Sequence, residues 1–193
     1  MTAAFADNSA DALKRIQALT RGGATDLALR LLDAQQPKPA DAEAWQQWER
    51  ERYALYRARQ DWPALATRVD KLPPEAPADF VRWARTEAVQ ARLDANDPAG
   101  ARRVLRQLLW SGEGSAADHQ LWRQLVIRSY LLENRVDDAV LAVERYRDEY
   151  KVISPAWRLL EATTLIRAGR EREAQARLTD LKTHDAQWLA LVA

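Results

Sequence analysis

The chain has 193 residues with 29 basic and 28 acidic side chains, a balance that gives no global signature of nucleic-acid binding. It contains no cysteine, which excludes a disulfide scaffold, a zinc ribbon and thiol catalysis. Only 6 glycines, no β-branched runs and no stretch of membrane-spanning length leave an all-α chain as the expectation.

Ala4-Phe5-Ala6 before Asp7 has the form of the A-x-A end of a secretory signal peptide, without the charged and apolar portions that should precede it. Two accounts stand: an added Met1 close to a natural cleavage site, or chance in an alanine-rich chain. Residues 1–8 are set apart as such a remnant.

From residue 9 onward five segments align on Ala28, Leu65, Ala101, Ala139 and Ala174, in steps of 37, 36, 38 and 35 residues. A period of this size predicts an α-solenoid, here one repeat domain over 9–193 with helical hairpins at 9–37, 41–73, 78–111, 116–151 and 155–193. Five residues before the markers stand Gly23, Gln60, Asn96, Asn134 and Gly169, where one helix must close and the next begin. Glycine, and next best asparagine, accepts the left-handed backbone that such a turn requires. Asp61 and Asp97 are expected N-caps, with Pro63 and Pro98 just inside the helices they open.

Beyond the markers, Leu32, Leu105, Leu108, Val143, Tyr146, Leu178 and Leu181 recur at steps of three and four, one apolar face per second helix. Trp48, Trp122 and Trp157 each lie 17 residues before their marker, with Asp11 and Ala84 at the same place in the other units. A large residue opposite a small one is how close helices interlock, so the aligned tryptophans read as packing between repeats. Trp45, Trp62, Trp83 and Trp110 fall outside that position and are the candidates for lining a sugar- or peptide-binding groove.

Arginine supplies 24 of the 29 basic residues. Arg102, Arg103 and Arg106 form the densest cluster, either a solvated helix face or a patch that meets an anionic glycan or nucleic acid. Arg50, Arg57, Arg85, Arg128 and Arg167 lie on first helices. The expected ligand-binding set is Arg50, Arg57, Arg85, Trp45 and Trp83, using ionic and stacking contacts.

No catalytic constellation is legible, and neither a metal site nor a cofactor is expected. His119 and His184 fall at helix ends or loops, and Asp118-His119 and His184-Asp185 are too small to make a metal site. Ser111-Gly112-Glu113-Gly114-Ser115 lacks the Lys-Ser/Thr ending of a phosphate loop. The ending Trp188-Leu189-Ala190-Leu191-Val192-Ala193 supplies no polar cap, so further protein or a second copy is expected to cover it.

The unit pattern resembles tetratricopeptide repeats, through the small residues Ala28, Ala101, Ala139, Ala162 and Ala174 and the turn at Gly169. That family implies a right-handed superhelix that binds peptides or proteins. Ile16, Tyr53, Val89 and Ile127 depart from it where a small residue is expected, so no set of peptide-binding residues carries over.

A narrower likeness lies in Gln60-Asp61-Trp62-Pro63-Ala64-Leu65, Leu72-Pro73-Pro74, Leu108-Leu109-Trp110-Ser111-Gly112 and Ser115-Ala116-Ala117-Asp118-His119-Gln120-Leu121. These segments resemble the helical superhelix domain of the periplasmic soluble lytic transglycosylases. The catalytic Glu-Ser and Gly-Leu-Met-Gln motifs of that family are absent from this chain. The resemblance implies a non-catalytic module, exported to the periplasm, whose partner is peptidoglycan or a murein-associated protein. The alternative is a general adaptor for protein–protein interaction, unrelated to murein, for which a cytoplasmic location is open. Neither reading involves nucleic acid or a membrane span.

Overall fold

The computed structural model describes residues 2–151 and 154–178, with side chains from residue 9 onward. Among these residues the chain is all-helical: ten α-helices and no strand. They are α1 (Thr2–Arg21), α2 (Thr25–Gln35), α3 (Ala42–Ala58), α4 (Trp62–Asp70), α5 (Ala78–Asp94), α6 (Pro98–Trp110), α7 (Ala116–Leu132), α8 (Val136–Glu149), α9 (Pro155–Arg167) and α10 (Glu171–Leu178). None is long and apolar enough to cross a membrane. Leu181, His184 and the apolar ending 188–193 lie outside the described residues.

A helix that must reverse within a few residues needs one residue in left-handed backbone. Gly23, Gln60, Asn96, Asn134 and Gly169 all take it, with φ between 55° and 81°. At four of these turns a backbone N–H reaches back 2.9 Å to the carbonyl of Leu19, Tyr56, Tyr130 or Leu165. Those four carbonyls belong to the position nine residues before each marker. The bonds satisfy acceptors that the helix ends would otherwise leave bare.

The helix starts are equally specified. Asp41, Asp61, Asp97, Ser115 and Ser154 each accept a hydrogen bond from a backbone N–H three residues on. Each such cap stabilises its helix by about 1 kcal/mol. Ser115 and Asp118 form a reciprocal capping box. Before it, Gly114 has φ +106°, and a Cβ there would stand 2.7 Å from the ring of Trp122. The loop into α7 therefore closes on a buried indole, and glycine is the residue that fits.

The chain divides into two compact units, Met1–Ala95 and Asn96–Ala193. In the first, Leu13, Ile16, Ala28 and Leu32 of α1 and α2 pack with Trp48 and Leu55 of α3. A second cluster joins Trp45 and Tyr53 of α3 to Leu65 of α4 and to Phe80, Ala84, Ala88 and Ala91 of α5. Helix α3 is thus buried on two sides. In the second unit, Ile127 and Leu131 of α7 meet Ala139, Val143 and Tyr146 of α8 and Trp157 of α9. Trp157 stacks on Tyr146 at 3.5 Å between centroids. A further cluster links Ala162 and Leu165 of α9 to Ala174 and Leu178 of α10. All five markers are buried, as are Trp48, Trp122 and Trp157.

Candidate functional site

On α3 the exposed residues Arg50, Ala54 and Arg57 follow at steps of four and three, so they share one helix face. Ala54, with its short side chain, stands between the two arginines on that face. Helix α5 meets this face with Trp83 and Glu87, again four residues apart. The Arg50 guanidinium lies 4.2 Å over the Trp83 ring and 5.6 Å from that of Phe80. Cation–π attraction of this kind holds the guanidinium plane while its N–H edge stays free to donate. Two turns further along α3, Arg57 Nη1 stands 3.0 Å from Glu87 Oε2.

Glu87 carries the electrostatic peculiarity of the face. Burial pushes its carboxyl above the ordinary range, and the Arg57 and Arg50 charges offset only part of that rise.

Three of the five sequence-predicted residues, Arg50, Arg57 and Trp83, therefore come together here. The other two do not join them. Trp45 is 3% exposed and packs edge-on to Phe80 at 5.0 Å, so its ring belongs to the core and has no face open to a ligand. Arg85 is half-buried and stands two residues from Trp83, a spacing that points round the helix to another side. Trp83 itself is half-buried against Tyr53 and Phe80, at 5.1 and 5.2 Å, and Arg50 covers it. Of the other outlying tryptophans, Trp62 packs against the α3–α5 core and Trp110 is exposed. Arg167 is engaged with the Leu131 carbonyl at 3.0 Å. His119 sits 3.0 Å from the Glu113 carbonyl and against the ring of Trp122.

Glu87 was not among the expected residues, nor were two buried carboxylates. Glu49 is fully buried and accepts from Gln36 Nε2 at 2.6 Å and from Arg68 Nε at 2.9 Å. Buried Arg52 stands beside it at 3.6 Å and also bonds Asp33 and Gln36. Glu161 lies 3.3 Å from Arg147 and 3.5 Å from Arg177. The partners of the two carboxylates share repeat positions, although Glu49 stands 16 residues before Leu65 and Glu161 13 before Ala174. Gln36 and Arg147 each stand eight residues after a marker, and Arg68 and Arg177 three after the next one used. A signal for them was present in the sequence: Trp45, Trp48, Glu49, Arg52 and Tyr53 follow one apolar stripe, into which two charges intrude. Such intruding charges are buried only when paired.

A shallow pocket at the end of α8, lined by Glu144, Arg147, Asp148, Tyr150 and Lys151, mixes both signs of charge. Comparison with protein-family models, with curated proteins and with solved structures found no match for the chain.

Proposed function

We propose that this chain is a non-catalytic helical-repeat module, a right-handed α-solenoid of five tetratricopeptide-like hairpins that serves as a binding surface. The observation that carries this reading is the recurrence of one turn. A left-handed residue stands five positions before a buried marker in every unit, at Gly23, Gln60, Asn96, Asn134 and Gly169. The shared positions of Gln36 with Arg147 and of Arg68 with Arg177, each set closing on a buried carboxylate, support it, because stacked repeats reuse contacts between neighbours.

The partner we assign to the Arg50–Trp83–Arg57 face is peptidoglycan or a murein-associated protein, with the chain acting in the periplasm as the superhelical part of a lytic transglycosylase-like protein. Two guanidinium groups spaced by Ala54 suit carboxylates on a sugar–peptide polymer. The test is retention by purified murein of the whole chain and of its Arg50→Ala/Arg57→Ala variant. Retention that falls in the variant supports the assignment. A wild-type chain that ignores murein and retains a defined protein would make it a general adaptor.

A further inference from the structure

Helix α6 contains three arginines and no acidic residue. It buries Pro98, Gly100, Ala101, Leu105 and Leu108, and turns Ala99, Arg103, Arg106, Gln107 and Trp110 to solvent. The arginine cluster seen in the sequence is split by this geometry. Arg102 faces inward, where it bonds Glu133 at 2.6 Å and lies 5.0 Å over Tyr130. Arg103 and Arg106 have no carboxylate partner among the described residues. Arg106 instead lies 5.6 Å from the ring of Trp110, which at 80% is the most exposed large hydrophobic side chain of those described.

We infer that this outer strip of α6 docks a glycan that carries carboxylates. Each part of the strip suits one part of such a ligand. The exposed indole offers a flat apolar plate for the C–H face of a sugar ring. The two uncommitted guanidinium groups can take bidentate bonds from carboxylates. The amide of Gln107, between them and the indole, can both donate to and accept from hydroxyls. From Arg103 to Trp110 the helix rises about 10 Å, comparable with a disaccharide.

The rival anionic partners fit less well. Nucleic-acid affinity rests on neutralising several phosphates, whereas the strip has two free cations on a chain of net charge +1. A membrane-surface helix needs a broad apolar face, and this one offers Trp110 and Ala99. The strip shares no residue with the α3–α5 face and does not depend on the murein assignment made there.

The experiment is titration of the whole chain with hexagalacturonate, read by calorimetry and by the indole N–H resonance of Trp110, assigned with Trp110→Phe. Chitohexaose is the uncharged control. Hexagalacturonate is expected to shift that resonance and chitohexaose to bind more weakly. Arg103→Ala/Arg106→Ala and Trp110→Ala should each lower the affinity at least about tenfold with the helical circular dichroism unchanged. Arg30→Ala, at an exposed arginine of α2 outside both faces, should leave it intact, which ties the loss to this strip and not to surface charge in general. An unmoved Trp110 resonance, or binding indifferent to the α6 variants, overturns the inference. So does tighter binding of oligo-dT or of phosphatidylglycerol vesicles, or a dimer that Trp110→Ala abolishes.

Discussion

Arg57 reaches from α3 to meet Glu87 of α5 at 3.0 Å, yet the carboxyl it meets is held above its ordinary pKa. Burial outweighs the nearby cations, so the ionised form is less comfortable in the folded chain than in the unfolded one. The stability associated with protonated Glu87 is present below the unfolded pKa and is lost as pH rises through the raised folded value. Glu87→Gln should therefore raise the melting temperature at pH 7, by less than about 1 kcal/mol of stability given the partial exposure of the pair. The gain should vanish as pH falls below the usual carboxylate range. Thermal melts of both proteins from pH 3 to pH 8 provide the check.

Tyr53 is fully buried and its hydroxyl has no hydrogen-bond partner among the described residues. Burial, and then the charge of Glu49, holds the phenol well above its usual pKa. Removing an unsatisfied hydroxyl while keeping the ring costs nothing in packing against Phe80 and Trp83. Tyr53→Phe is expected to leave stability unchanged or to raise it by up to about 1 kcal/mol. Urea unfolding midpoints of the pair measure this directly.

The two buried carboxylates should not be equally costly to remove. Glu49→Ala leaves Arg52, itself 3% exposed, with Asp33 and Gln36 but without the buried carboxylate beside it, and also takes the acceptor from Arg68, so a loss of up to about 3–5 kcal/mol follows. Glu161 is paired with Arg147 and Arg177, both of which reach solvent and can rehydrate. Glu161→Ala should cost less than Glu49→Ala in the same denaturant series.

Ala139 has no exposed surface and sits among Ile127, Leu131, Val143 and Trp157. Ala139→Trp overfills that crossing and should cost about 1–3 kcal/mol or more. A melting temperature equal to that of the native chain would show that the α7–α8 crossing has room which its burial denies.

The helices and turns were legible in the sequence because each rests on local chemistry. The turns at Gly23, Asn96, Asn134 and Gly169 use residues that tolerate positive φ, and the caps at Asp61 and Asp97 precede proline at the first turn. Gln60 was weaker as a signal, since glutamine has no special ease in left-handed backbone. It adopts φ 55° because its neighbours impose the turn. The site was legible only in part. Sequence spacing puts Arg50 and Arg57 on one side of α3, but it cannot tell that Trp45 points into the core while Trp83 takes Arg50 on its ring. Both tryptophans lie outside the aligned position, and only the packing of α5 against α3 distinguishes them. Glu87 escaped for the same reason: its meaning comes from a helix 30 residues away in the chain.

Each left-handed residue stands five positions before its buried marker, whereas the steps from one marker to the next vary between 35 and 38. From the marker to the aligned first-helix position of the following unit (Trp48, Ala84, Trp122 or Trp157) the count runs from 18 to 21. Length differences are thus absorbed at the joins after α2, α4, α6 and α8, and not inside the turns. Insertions or deletions are accordingly tolerable at those joins. A single residue added between Asn134 and Ala139 would rotate α8 by about 100° and turn its apolar stripe away from α7.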